Sequence, residues 1–335
     1  MYIIYAILAF SILIIIHELG HFTMAKLNNV MVEEFSLGMG PKLFAFQGKE
    51  TKYLIKAFPI GGYVKMLGDE GASTDPRAFN NKSPLRKLSI VIAGPIMNLI
   101  LGVVLFAVIA GFKGYMAPII GQLTPNGPAQ GAGLLPGDKL IKVNNSGIST
   151  WEDFVTGVYT SNGTALNITY SRDNTLKTVK VTPVKDTQLN RYIVGIYPSE
   201  VRPNALQASA YGAKEAWSLT KQTAGFLKTL ISGKASMNDF GGPVTIIKFS
   251  GAAAKAGILT LMSFAAYISI QLAIFNIIPF PALDGGFIFL FLFEIITGKK
   301  VDDNKVGLIN YFGFAALMVL MILVTIKDIL YPINL

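Results

Sequence analysis

The sequence predicts a helical membrane protein of four transmembrane helices, with a membrane-associated β-hairpin loop and an inserted, extracytoplasmic β-rich domain. Three observations carry this. Of 335 residues, 52% are hydrophobic and only 15% charged, too apolar a balance for an ordinary soluble chain. The apolar residues also cluster into long runs. Between the second and third runs the pattern changes to short alternating segments bounded by turn residues.

Each span is justified by length. About 20 helical residues cross a hydrocarbon core of roughly 30 Å. Leu88–Phe112 runs 25 residues without a charge and Leu308–Ile326 runs 19, giving spans over 88–112 and 308–327. Residues 1–25 are apolar apart from His17, Glu18 and His21, and 256–297 are nearly so, with Asp284 in their midst. Residues 1–25 have the look of a signal peptide. There is no basic segment before Ile3, however, and cleavage would discard His17, Glu18 and His21, so the segment reads as a membrane helix.

Charge sets the expected orientation. Residues 26–87 hold ten Lys/Arg against six Asp/Glu, and Lys299, Lys300 and Lys305 fill the last loop. The positive-inside rule makes both cytoplasmic and both termini external. The fifteen Lys/Arg of 113–255 weigh less, because long domains translocate largely regardless of charge. The net charge of +9 comes without a basic stripe or a nucleic-acid motif, so no nucleic acid is expected as partner. With no cysteine, disulfides and thiolate metal sites are excluded.

Loop 26–87 carries Phe35–Leu43 and Lys52–Met66, whose alternation and Gly/Pro clusters predict short strands beside the first span. Residues 119–197 read as a soluble β domain with strands at 138–143, 165–170, 177–181 and 191–195. A hairpin turn is expected at 172–175, and a short helix at 151–159 capped by Thr150. Gly133-Leu134-Leu135-Pro136-Gly137-Asp138 resembles the glycine-bearing turn of PDZ domains, which bind extended peptides at a sheet edge. Residues 198–255 form a helical linker, with an amphipathic helix over 205–231. Gln271, polar in the third span, matches no motif.

His17-Glu18-Leu19-Gly20-His21 matches HExxH. On a helix the i, i+4 spacing sets both imidazoles on one face, where they can hold zinc, and the glutamate can act as general base on water. The plainer alternative is a pair of hydrogen-bonded core histidines. Ionisable groups at membrane depth are costly, which favours the metal. A catalytic zinc takes three protein ligands. The chain has no cysteine and only two histidines, leaving a carboxylate for the third. Asp284 is the one acid between Lys255 and Glu294, in a stretch broken by Pro279, Pro281, Gly285 and Gly286.

These motifs resemble those of the site-2 protease family, peptidase family M50, and most closely its bacterial RIP-type branch with a single PDZ domain. The resemblance rests on HExxH at 17–21 and on Asn276-Ile277-Ile278-Pro279-Phe280-Pro281-Ala282-Leu283-Asp284-Gly285-Gly286. It rests further on Ala93-Gly94-Pro95-Ile96-Met97-Asn98 and on Phe58–Lys65 in the hairpin loop. It implies His17, His21 and Asp284 as zinc ligands, Glu18 as base, and Asn276, Pro279, Gly61 and Gly62 at the substrate, with Asn276 on substrate backbone or a developing oxyanion. The implied activity is zinc-dependent cleavage of transmembrane segments of membrane-anchored proteins, such as anti-sigma factors and signal-peptide remnants, in the bacterial inner membrane. The edge near Lys52–Phe58 is expected to hold substrate extended. Two other classes compete. One is an inactive metal-binding adaptor displaying a PDZ domain, which requires a missing ligand or base. The other is a zinc transporter, which leads one to expect internal repeats.

Overall fold

The computed structural model describes residues 2–69, 71, 73–186, 191–233 and 241–332. They fall into two units: residues 1–105 with 223–335, and residues 106–222.

In the first unit, α1 (Tyr2–Leu27) leads into β1 (Val32–Gln47) and β2 (Lys52–Met66), followed by α2 (Pro84–Lys113). The two strands pair antiparallel, but each folds back on itself, so two strands make a four-run sheet. Phe35 faces both Val64 and Tyr53, and Phe46 also faces Tyr53. The register gives the spatial order 62–66, 32–37, 52–58, 42–47. This corrects the expectation for Lys52–Phe58, which is an inner run paired on both sides. The edges are 42–47 and 62–66. A single hairpin read from sequence has two strands and two edges; the backbone reversals inside each strand were not legible.

The β-branched and aromatic residues of these runs bury one face. Val30, Val32, Phe35, Val64 and Met66 share a core with Ala25 of α1, with Ile90 and Val91 of α2, and with Ile288 and Phe291 further along the chain. Away from this core the sheet keeps other large apolar groups exposed, among them Leu43, Phe44, Phe46, Ile55 and Phe58, as expected of a surface meeting lipid.

The second unit contains β3 (Tyr115–Leu123), a short α3 (Pro128–Gly131), β4 (Lys139–Val143), β5 (Ser146–Gly147) and α4 (Trp151–Thr160). It continues with β6 (Leu166–Arg172), β7 (Thr175–Val181), β8 (Val184–Asp186), β9 (Arg191–Ile193) and β10 (Ile196–Val201). The main sheet has the order β10-β3-β4-β6-β7, with β5 against β4, and β8 pairs with β9 apart from it. Asp173 and Asn174 both take positive φ, 49° and 59°, in the β6–β7 turn, the conformation that two-residue hairpins prefer. Asp153 accepts the Thr150 N–H at 3.2 Å, closing the start of α4. The Gly133–Asp138 turn is clamped by Arg172, which donates to both Asp138 oxygens at 2.7 Å and to the Gly133 carbonyl at 2.9 Å. The core holds Ile120, Leu134, Leu140, Phe154, Leu166 and Ile168.

α5 (Ala205–Ile231) returns the chain to the first unit, followed by α6 (Pro243–Ala256), α7 (Ile258–Ile277), α8 (Asp284–Thr297) and α9 (Asp303–Leu330). The stretch expected as one membrane segment is thus two helices, α7 and α8, separated by 278–283. Gln271 finds its role here: its amide exchanges hydrogen bonds with the Thr223 hydroxyl at 2.9 and 3.2 Å, pinning α7 to α5. Among the described residues, four helices are long and apolar enough to cross a membrane: Ile7–Leu27, Pro84–Lys113, Ile258–Ile277 and Asn304–Leu330. Leu, Ile, Phe and Met side chains stand exposed along α9.

Candidate metal centre

One helical turn of α1 carries His17, Glu18 and His21, and α8 begins at Asp284. The chain brings Asp284 to α1 through a sharp connection. After α7, Phe280 N–H bonds back to the Ile278 carbonyl at 2.7 Å, and Ala282 takes a positive φ of 69°. The Asn310 side chain on α9 accepts the Ala282 N–H at 3.1 Å, so the fourth span holds the connection in place. Prolines 279 and 281 remove N–H groups that would otherwise continue α7, and Asp284 sits in the first turn of α8, where negative charge is favoured.

Three ligand atoms converge. Oδ2 of Asp284 lies 3.1 Å from Nε2 of His17 and 3.5 Å from Nε2 of His21, and the two Nε2 atoms are 3.2 Å apart. The histidine side chains are 12% exposed and that of Asp284 21%. His21 Nδ1 lies 3.0 Å from the Ile90 carbonyl, an acceptor only, so Nδ1 carries the proton and Nε2 presents a lone pair. Pro95, inside α2, lacks the N–H that would bond the neighbouring Val91 carbonyl. Asp284 Oδ2 is buried and has no partner in hydrogen-bond geometry. Lone pairs from a bare imidazole nitrogen and a carboxylate oxygen thus face the same point, an arrangement that a cation resolves. Two imidazoles and one carboxylate are a donor set for catalytic zinc with a position left open. Among the described residues, His17, His21 and Asp284 are the only cluster of this kind.

Two glycines make room. A Cβ on Gly94 of α2 would run into Nε2 of His21, and it would lie 2.8 Å from Cε1 of His17. The Gly-Pro pair is therefore where α2 presses its backbone against both imidazoles, a requirement that the motif signalled without showing its cause. A Cβ on Gly62 would lie 2.9 Å from the Ser36 carbonyl and 3.1 Å from Cγ of Glu18. Gly62 opens the edge run 62–66, so Glu18 borders that edge directly. Gly61, at φ 88°, turns the chain into it.

The other expected site residues are less engaged. Asn276 sits in the last turn of α7, and its side chain makes no hydrogen bond among the described residues. Pro279 is exposed in the connection. A residue that sequence reasoning left without a role is Asn98, whose amide lies 3.2 Å from Nδ1 of His17. Its signal was present, since it closes the Gly94-Pro95-Ile96-Met97-Asn98 run.

Comparison with known proteins agrees with this geometry. The profile of peptidase family M50 matches residues 5–320. A Clostridium acetobutylicum protein is 53% identical over 333 residues, covering 99% of this chain and 98% of its own. Zinc metalloprotease RasP of Geobacillus kaustophilus is 30% identical over 406 aligned positions, covering 96% of each chain. Regulator of sigma-W protease RasP of Bacillus subtilis is 29% identical over 408, covering 96% of this chain and 97% of its own. A turn carrying two histidines, a carboxylate brought to it from a distant helix and a family match across nearly the whole length point one way: the chain belongs to peptidase family M50, the site-2 protease family, and is a zinc-dependent metalloprotease.

Proposed function

We propose that this protease cleaves transmembrane segments of membrane-anchored proteins within the bilayer, with anti-sigma factors and signal-peptide remnants as substrate classes. The observation that carries the reading is the position of the site. His17, Glu18 and His21 lie inside Ile7–Leu27, a helix apolar enough to span, so the ligands are held at membrane depth rather than on a soluble face. The name of the Bacillus subtilis relative, a regulator of sigma-W protease, supports the substrate class.

His17, His21 and Asp284 hold the metal in this reading. When bound, zinc supplies Lewis acidity that polarises a peptide carbonyl and lowers the pKa of water. Glu18 takes a proton from the attacking water and returns it to the leaving amine. A helical substrate keeps its carbonyls closed in hydrogen bonds, so it must be drawn out before attack. The edge run 62–66 pairs on one side only and borders Glu18 through Gly62. It offers backbone groups to an extended substrate by strand addition. Asn276 and Pro279, in the segment leading to Asp284, are assigned to the substrate's backbone.

The second unit reads as a PDZ domain on the extracytoplasmic side. Support comes from β10, an edge strand of the main sheet, which borders a cavity of about 490 Å3. Trp151, Phe154 and Val158 of α4 form the facing wall, with Val194 and Ile196 opposite. An edge strand beside a helix with an apolar groove between them is how such domains take an extended peptide. The adaptor reading is weaker, because no ligand and no base is missing.

The test is cleavage of a membrane-anchored anti-sigma factor by the purified protein in detergent, against Glu18→Gln. Cleavage inside the transmembrane segment by the wild type alone is expected; cleavage confined to residues outside that segment overturns the intramembrane reading.

A further inference from the structure

A cavity of about 470 Å3 opens where the start of α2 meets the end of α8. Four lysines line it, Lys82, Lys87, Lys299 and Lys300, against a single acid, Glu294. Glu294 is already committed: it is 6% exposed, and its Oε1 accepts the Val301 N–H at 3.1 Å. Lys87 rests its ammonium 5.8 and 5.6 Å from the rings of Phe79 and Phe291.

Lys82 is different. It is 9% exposed, and its ammonium makes no hydrogen bond or ion pair among the described residues. Its charged neighbours are mostly repulsive. Burial, then Arg86 and Arg77, push its pKa down, and Asp75 acts the other way. This cation has no counter-ion among the described residues, and it lines a space large enough for an anion.

Two further features say which anion. The Ser83 carbonyl accepts the Lys87 N–H at 3.1 Å, so Ser83 caps α2. The N–H groups of Leu85 and Arg86 in its first turn then have no intrahelical acceptor. Such a turn attracts phosphate. Moreover, α2 is one of the helices able to cross a membrane, and the first turn of a spanning helix lies at the headgroup level, where phosphodiesters are abundant.

We propose that this cavity binds the phosphate group of an anionic phospholipid. Lys82 and the first turn of α2 are its ligands, and Lys299 and Lys300 form its rim. A soluble phosphate shares the chemistry, and the experiment separates the two sources. Full-length protein in nonionic detergent is titrated with dihexanoyl phosphatidylglycerol, dihexanoyl phosphatidylcholine and inorganic phosphate, with bound ligand read by native mass spectrometry. Saturable binding of phosphatidylglycerol is expected, at least about tenfold weaker in Lys82→Gln and kept in Lys82→Arg. Ser83→Asp preserves a capping residue while adding negative charge beside the cavity, so it should weaken binding without lowering Tm. Inorganic phosphate binding through Lys82, with no phosphatidylglycerol bound, overturns the lipid assignment. Binding that ignores both Lys82→Gln and Ser83→Asp, or that takes both lipids equally, overturns the site.

Discussion

Nδ1 of His17 lies 3.2 Å from the amide of Asn98, a residue 1% exposed and 81 positions further along the chain. With Nδ2 toward the ring, the Asn98 carbonyl oxygen is buried without a partner. Turned over, the same amide accepts a hydrogen bond from Nδ1–H and leaves Nε2 of His17 bare for metal. Ile90 does the same for His21 through its carbonyl. Outer partners of this kind fix the tautomer and orient the ring.

Asn98→Ala should therefore lower zinc affinity by about ten- to hundredfold while the protein stays inserted. Competition with a calibrated chelator measures this directly. Asn98→Asp, which restores an acceptor, should recover most of the loss. Equal affinity in wild type and Asn98→Ala removes Asn98 from the support of His17.

Glu18→Gln separates base from ligand. Glu18 is absent from the cluster of converging ligand atoms, so zinc content should be unchanged. Proteolysis should fall at least about a hundredfold, the usual weight of a general base. Metal content and cleavage are read from one preparation, and joint loss of both would place Glu18 among the ligands.

Asp284→Ala should empty the site. It leaves two imidazoles, and two protein ligands do not retain a catalytic zinc against dialysis. Membrane insertion should persist, since the aspartate's charge at the start of α8 contributes only about 0.3–1 kcal/mol to that helix. Unchanged zinc stoichiometry in this variant rules out the third ligand.

A fourth prediction concerns stability. Glu152 on α4 and Glu215 on α5 each keep a carboxyl oxygen buried without a hydrogen-bond partner. Burial, then the charge of Glu152, pushes Glu215 up to about 8, and burial also raises Glu152. An acid whose folded pKa exceeds its unfolded one binds more protons when folded. Stability is then full below about pH 4.5 and falls as pH rises toward 8, by at most about 1.4 kcal/mol per pH unit for one proton. The chain's two tryptophans, Trp151 and Trp217, sit on the same two helices. Their fluorescence midpoint in urea should drop from pH 5 to 8 and flatten in Glu215→Gln. A wild-type midpoint that holds level over this range contradicts the shift.

How much of this was legible in the sequence depends on the range of the interaction. HExxH announced a shared helix face because i, i+4 geometry is local. Asp284 could be reached by elimination, since so few ligating residues exist. The turn at Asp173–Asn174 and the cap at Thr150 are local too. What escaped was long-range. Nothing in the spacing of Gly94 says that its missing Cβ clears two imidazoles on another helix, and nothing near Asn98 says that it faces His17. The inner position of Lys52–Phe58 arises because each strand doubles back, which alternation cannot encode. Gln271 had no local partner to reveal it; Thr223 is 48 residues away.

The last prediction asks what the second unit does. None of His17, Glu18, His21 or Asp284 lies within residues 106–222, so hydrolysis has no evident need of it. It is spliced between α2 and the later spans, tethered at both ends, which suits a domain that screens what reaches the site. A filter of this kind rejects a membrane substrate with a bulky folded ectodomain and passes one already trimmed by another protease. The groove between α4 and β10 suits the opposite role, recruiting an extended peptide. Deletion distinguishes them by sign. β3 and β10 pair along their length, with Tyr115 opposite Val201, so excising 115–201 brings two neighbouring chain ends together and needs only a short linker. If the unit filters, the deletion variant should cleave the untrimmed substrate that the wild type refuses. If it recruits, cleavage of the trimmed substrate should collapse. The ratio of untrimmed to trimmed cleavage is scored in preparations that insert and bind zinc. We expect it to rise, and a ratio that stays near zero refutes the filter.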